Sequence, residues 1–359
     1  MTLSTADEGA VEATFQPPWW LRNAHLQTIW GRATRSRRLI PFQRESLTTA
    51  DGDELVVDHM EGASSGPRFL LLHGLEGSSY SVYIQGMLSQ IRRRHLPATV
   101  INFRHCARDP KNVNRVLPNR RPRMYHSGET TDFDFVVRTM REREAARPLV
   151  AIGSSLGGNV LLKWLGENGP KSSIVAAATL SVPYDLSAGS HYLEETAMGR
   201  VYSASFMRTL RRKAIWVTKK FESQTTLDPA QIARTRTMIE FDDAATAPLH
   251  GFTSAEDYYA RSSSIRFVER IAVPTLCISA LDDPFLPPKV LPLVHSLASA
   301  HVEFLVTERG GHVGFVGGVF PWQSRYWAEE YAVDWVLKRA SDEPREMLPG
   351  RTRSRSTSP

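Results

Sequence analysis

Six short apolar runs set the rhythm of the chain: residues 69–72, 99–103, 149–152, 174–180, 274–280 and 302–306. Each has the length of a strand. None alternates cleanly between apolar and polar positions, which marks strands of a parallel sheet covered on both faces. Between them lie segments with helical spacing, over residues 79–94, from about 127–132 to 145, and from Asn159 to Gly166, where Val160, Leu161, Trp164 and Leu165 share one face. Alternating strands and helices at this spacing predict right-handed βαβ units. Ahead of them, residues 44–49 and 54–58 flank Ala50-Asp51-Gly52-Asp53, and an Asp-Gly turn between strand-like runs predicts an antiparallel hairpin. Residues 326–339 read as an amphipathic closing helix.

The rhythm breaks over residues 186–264, where helices are predicted at 193–198, 205–221 and 229–241 without a core strand. This stretch reads as a helical cap inserted over the site. Phe241-Asp242-Asp243 and residues 248–252 read as turns within it, and Tyr258-Tyr259 as packing on the core. The expected layout is a disordered terminus (1–15), a core in two pieces (16–185 and 265–340), the cap (186–264) and a disordered basic tail (341–359). Residues 17–30 concentrate aromatic side chains; they predict an arm packed on a sheet edge or flank, the other reading being a wall of an acyl pocket. Residues 104–123, rich in Arg, Pro and Asn, predict a long loop. Its guanidiniums form either a solvated surface or a receptor for an anionic head group.

Composition adds bounds. The 359 residues are 42% hydrophobic and 23% charged, the balance of a globular chain with one large α/β unit. The formal net charge of +6 permits contact with anionic lipid but does not demand it, and no nucleic-acid reader motif accompanies it. Two cysteines, Cys106 and Cys277, read as free thiols of a reducing compartment. The first thirteen residues lack the basic and apolar regions of a signal peptide, and no run has the length of a membrane span, so a cytoplasmic location is expected.

The chemistry gathers where apolar runs end. The run at 149–152 leads into Gly153-Ser154-Ser155-Leu156-Gly157 and then a helix. A G-x-S-x-G pattern between strand and helix is the setting of a nucleophile elbow, which presents Ser155 at a strained turn. The Leu156 amide, at the helix N-terminus, points at a developing oxyanion. The run at 69–72 closes with His73-Gly74-Leu75. In hydrolases built on such an elbow, the residue after a His-Gly pair supplies the second oxyanion amide, here Leu75. His73 itself is expected to shape the loop. The run at 274–280 leads to Leu281-Asp282-Asp283-Pro284, and the last run to Gly310-Gly311-His312. An acid after a late strand and a histidine between glycines, in the order Ser…Asp…His, nominate Asp283, preferred over Asp282, as the carboxylate and His312 as the base.

With these pieces in place the chain resembles an α/β-hydrolase of the YheT type. The matching stretches include PPWWLRNAHLQTIWG, LLHGLEGSS, NFRHC, YHSGETTDFDFVV, IGSSLGGNVLLKWLGE, LSVPYDL, EFDDAATAPLHGF, EDYYARSSS and RGGHVGF, spanning roughly residues 15–340. The resemblance implies an α/β-hydrolase fold, a mostly parallel sheet with flanking helices and an inserted helical cap. It implies a serine carboxylic-ester hydrolase acting on small-molecule esters or lipids, acylglycerol or phospholipid, with nucleophile, acid and base on Ser155, Asp283 and His312. Such a mechanism needs no metal and no organic cofactor. Two departures bear on substrate preference: His105-Cys106-Ala107 stands where the family pattern has Gly-Cys-Ser, and the following loop is longer. The other reading is a hydrolase-fold protein that binds a ligand or docks on a membrane with little or no turnover.

Overall fold

A computed structural model describes residues 14–35, 39–63 and 65–342. The termini expected to be disordered therefore lie outside the described residues, except Thr14, Phe15, Ser341 and Asp342. Phe15 departs from that expectation. It is buried, with its ring 5.7 Å from Phe315 and 5.5 Å from Trp327.

Eight strands form the main sheet: β1 (Gln43–Thr48), β2 (Glu54–Met60), β3 (Arg68–Leu72), β4 (Ala98–Ile101), β5 (Leu149–Ser154), β6 (Ile174–Leu180), β7 (Thr275–Ala280) and β8 (Val302–Thr307). Their spatial order is β1-β2-β4-β3-β5-β6-β7-β8. The predicted hairpin is β1–β2, in register Leu47 opposite Leu55, and β2 also runs antiparallel to β4. All other pairings are parallel.

The apolar runs are unbroken because both sheet faces are covered. Leu70, Leu72 and Ala151 belong to one buried cluster, with side chains of helices α3 (Thr131–Arg143) and α4 (Leu156–Asn168). Phe69, Leu71, Val150 and Ile152 alternate to the other face, against α2 (Val82–Arg93) and the closing helix at Trp327–Asp342. Successive side chains point to opposite faces of a strand, so burying both removes the polar alternation from the sequence.

Between β6 and β7 come six helices: α5 (Leu186–Glu195), α6 (Ala197–Lys220), α7 (Pro229–Arg234), α8 (Met238–Phe241), α9 (Ala247–Leu249) and α10 (Ala255–Ser262). Asp185 and Thr196 cap α5 and α6 with side-chain oxygens. In α6, Met207, Leu210, Ala214 and Val217 form one buried stripe, which packs with Phe221, Ile232 and Phe241 in a cluster separate from the sheet core. Of the turn predicted at Phe241-Asp242-Asp243, Phe241 ends α8, and Asp242 and Asp243 open a π-helical turn over residues 242–246 that joins α8 to α9. Its Asp242 is buried and accepts from the Thr246 hydroxyl (2.5 Å) and the Tyr259 hydroxyl (2.7 Å).

The arginine-rich stretch is not a plain loop. Residues Arg108–Asp109 pair with Asn112–Val116 in a two-stranded ribbon. Arg104 is engaged internally, whereas the Arg115 and Arg120 side chains stand largely in solvent, as the surface reading expects. Arg104 is buried and reaches Asp132 through Nε and Nη2 (2.8 Å each), Asp53 through Nη1 (2.7 Å) and Asp51 (3.0 Å). Arg115, Arg120 and Arg123 pair with Asp109, Glu54 and Glu129. Charges removed from water must be paired, and the Asp-Gly hairpin tip supplies two of the carboxylates.

Two stability predictions follow from this packing. Arg104→Ala strands buried carboxylates and should destabilise the fold by about 3–5 kcal/mol in urea unfolding, and a loss within error of zero would refute the network. Burial pushes the Asp242 carboxyl up to about 6. A raised pKa stabilises the fold fully below the unfolded value, and that contribution is lost as pH rises through the folded value. Asp242→Asn cannot ionise, so its stability relative to wild type should rise by up to about 3 kcal/mol between about pH 4 and about pH 7.5. A gap that does not change with pH would overturn this assignment.

Candidate active site

β5 ends at Ser154, α4 begins at Leu156, and Ser155 between them has φ 52° and ψ −123°. An L-residue held there stores about 1–3 kcal/mol of strain, so the surroundings must over-determine it. They do: the Ser155 amide donates to the Leu180 carbonyl (2.8 Å), and the Ser155 carbonyl accepts from Gly158 and Asn159 (2.9 and 3.1 Å). A Cβ on Gly157 would lie 2.6 Å from the carbonyl oxygens of both Leu72 and His73, so only glycine lets α4 cross the end of β3. The turn leaves the serine hydroxyl exposed to a cavity.

His312, separated from Ser155 by 157 residues, brings Nε2 to 2.9 Å from its Oγ. Nδ1 faces both oxygens of Asp283 at 2.9 and 3.1 Å. With a carboxylate on one side, Nδ1 carries the proton and Nε2 accepts from the serine hydroxyl. Asp283 is buried and also accepts from the Phe285 amide (2.9 Å), and the Phe285 ring stands edge-on to the imidazole at 4.3 Å.

Asp282 turns the other way. Its Oδ1 accepts from the amides of Gly310 and Gly311 (2.8 and 2.9 Å), so it ties down the loop that carries the histidine. Burial raises its pKa. The sequence shows two adjacent acids; only their opposite directions in space separate orienting the imidazole from holding its loop.

The aromatic N-terminal segment supports the same loop. In α1 (Ala24–Thr34), Thr28 Oγ1 accepts from the His312 amide (3.0 Å). The buried Gln27 side chain bonds the Val316 backbone in both directions (2.7 and 2.9 Å). Gly311 has φ 59°, and a Cβ there would lie 2.4 Å from the Ala24 carbonyl oxygen. None of the described residues 14–34 lines the cavity, so the segment is a clamp on the histidine loop and not an acyl wall. Nothing in its composition signals that role.

Leu72 stands opposite Gly153 in the sheet, which brings the strand end before Leu75 beside the Ser155 turn. Leu75 and Leu156 both line the cavity, and among the described residues neither amide has an acceptor. His73 lies beneath. Its Nε2 accepts from the Phe103 amide (3.1 Å), which leaves Nδ1–H to donate to the Gly74 carbonyl (2.8 Å). Burial lowers its pKa to about 4, so the ring is neutral and shapes the loop. Glu76, next after Leu75, has φ 56° and pairs with Lys213 of α6, which fastens this loop to the helices above.

Leu193, Phe206, Leu210 and Met238 from those helices close the cavity over Ser155 and His312. Asn159, one turn into α4, holds the far side. Its Nδ2 donates to the carbonyls of Ser127 and Ser262 (2.8 Å each), and its Oδ1 accepts from the Ser264 amide (2.9 Å). Sequence reading passed over Asn159 because a polar residue inside an apolar helix shows its partners only in three dimensions. Cys106 and Cys277 are both free and buried. Among the described residues no helix is long and apolar enough to cross a membrane.

A family model for the alpha/beta hydrolase fold matches residues 67–319. YheT of Escherichia coli strain K12 is 35% identical over 339 residues, covering 94% of this chain and 96% of its own. The phospholipase ABHD3 of Bos taurus is 30% identical over 324 residues, covering 88% of this chain and 76% of its own. Among solved structures, the esterase Pf2001 of Pyrococcus furiosus superposes with a TM-score of 0.53 at 15% identity, covering 91% of this chain and 97% of that one, a likeness of fold alone. The strand order, the elbow and these matches agree: the chain belongs to the α/β-hydrolase fold family, in the branch that holds YheT.

Proposed function

We propose that this protein is a serine carboxylic-ester hydrolase with Ser155 as nucleophile, His312 as general base and acid, and Asp283 as the carboxylate that orients the imidazole. The observation that carries the reading is the unbroken relay from Ser155 Oγ through His312 to Asp283, at 2.9 Å on each side of the ring. His312 takes the serine proton as Oγ attacks the ester carbonyl, and Asp283 stabilises the imidazolium that forms. The amides of Leu75 and Leu156 receive the negative charge on the carbonyl oxygen. The alcohol leaves with the proton from His312, and water, deprotonated by the same imidazole, releases the acid and restores Ser155. No step calls for a metal or an organic cofactor.

Residues 186–264 act as a cap, and the mostly apolar cavity beneath them fits an acyl chain. The phospholipase name of one relative supports a lipid ester as substrate class. Two free thiols suit a reducing compartment, so a cytoplasmic location fits.

A fluorophosphonate probe should label the wild-type protein, and the label should vanish in Ser155→Ala. Activity on nitrophenyl esters of graded chain length should fall by about 10⁴-fold or more in Ser155→Ala and His312→Ala. A folded wild type that takes no label would refute the catalytic reading in favour of a ligand-binding protein. Contact with anionic membranes has its own support: Trp19, Val319 and Trp322 are 70, 66 and 77% exposed, close in sequence to the basic residues Arg22 and Arg325. Sedimentation with acidic liposomes should be strong at low salt and fall as salt is raised; binding that is absent, or indifferent to salt, removes this contact.

A further inference from the structure

One part of the cavity wall does not match the rest. Most of the wall is apolar, but His126, His250 and Asp242 line it together. The rings of His126 and His250 are 4.5 Å apart at 55°. His126 is provided for: its Nδ1 accepts from the Gly128 amide (3.1 Å), so the proton sits on Nε2, 3.6 Å from a Glu129 oxygen. Asp242 is likewise satisfied by the two hydroxyls described above. His250 is not. Among the described residues neither of its ring nitrogens has a hydrogen-bond partner, and Nε2 is fully buried.

An unpaired polar group inside a protein forfeits its hydration without compensation, and most buried polar groups avoid this. Of the side chains lining this cavity, His250 is the one with a fully buried polar atom left unpaired. Burial lowers the pKa of both imidazoles, to about 3 and about 4, so the wall is uncharged here except for Asp242. The tautomer that avoids burying an unpaired N–H leaves Nε2 bare and puts the proton on Nδ1. A donor is then available to a ligand oxygen.

We propose that His250 is a specificity-determining residue that hydrogen-bonds an uncharged, oxygen-bearing group on the alcohol side of the ester, such as a free hydroxyl of a polyol monoester. The neutrality follows from the wall. No Lys or Arg lines the cavity, while Asp242 does; Glu129, behind His126, is already paired with Arg123. A phosphate at this position would face the Asp242 carboxylate and two neutral imidazoles, with no Lys or Arg among the lining side chains, which low-polarity surroundings penalise heavily. The apolar remainder of the cavity takes the acyl chain. The inference rests on the esterase reading for the reacting serine.

The test compares kcat/KM for three esters of one acyl chain: glyceryl octanoate, methyl octanoate and octanoyl glycerol phosphate. Wild type should prefer the glyceryl over the methyl ester, and the phosphorylated ester should be the poorest of the three. His250→Phe should lower the glyceryl-to-methyl ratio by about 10-fold or more, one lost hydrogen bond's worth. His250→Gln, which keeps an N–H, should recover part of it. Cooperative thermal unfolding of each variant checks that it folds. A ratio unmoved by His250→Phe, both esters falling alike in both variants, or efficient cleavage of the phosphorylated ester would each overturn the assignment. If wild type hydrolyses nothing and takes no fluorophosphonate, the esterase reading fails separately. Calorimetric binding of octyl glyceryl ether against octyl methyl ether, to wild type and His250→Phe, then decides the subsite: an unchanged preference in the variant overturns it, and a lost preference supports it.

Discussion

The positive φ of Ser155 is the constraint to which the rest of the site answers. A residue forced into that region relaxes unless its neighbours forbid it. Here the Leu180 carbonyl on one side and the first turn of α4 on the other leave the backbone no other course. The hydroxyl is thereby lifted out of the sheet at the end of a central strand. The same crossing brings the α4 N-terminus, with its unpaired amide at Leu156, beside the end of β3 with its unpaired amide at Leu75. Strain, two unpaired amides and a serine hydroxyl facing the cavity meet at one crossing, possible because glycine at position 157 lets α4 pass over β3.

A serine so presented needs an imidazole aimed at it, and this protein invests heavily in the aim. The loop that carries His312 is held from below by Asp282, from the side by Thr28 and Ser181, and through Gln27 by the N-terminal helix. These are hydrogen bonds to backbone, which fix a loop's path more firmly than side-chain packing alone. Aromatic pairs, Phe15 against Phe315 and Trp20 against Trp30, pack the same segment onto the body of the protein. The N-terminal segment therefore reaches the chemistry without touching the cavity.

The helices above the sheet contribute differently. They share an apolar cluster of their own, on which Leu75 also packs, and Lys213 to Glu76 ties them to the loop that carries Leu75. The cavity between is mostly apolar, and His126, His250 and Asp242 meet on one part of its wall. A wall of that kind grips a chain by area and reads a head group by a few hydrogen bonds. In the arginine-rich stretch, by contrast, Arg104 is absorbed into internal charge pairing with Asp51, Asp53 and Asp132, while Arg115 and Arg120 remain largely exposed.

The sequence by itself determined the strands, their parallel character and the order Ser155, Asp283, His312. Those features are local: apolar runs without alternation, glycines around a serine or histidine, and an acid at a strand end. It also carried enough of the family pattern to imply the fold. What only the tertiary structure decided is where partners lie far apart along the chain. Asp282 and Asp283 are neighbours with opposite tasks. Arg104 reads as one of many surface cations until Asp51, Asp53 and Asp132 close around it. Residues 241–243 and 248–252 look like turns, and only folding puts Asp242 and His250 on the wall of the cavity that holds Ser155. Local pattern encodes the direction of the backbone, whereas a hydrogen bond or an ion pair exists only when two segments meet, and no spacing along one segment records the other.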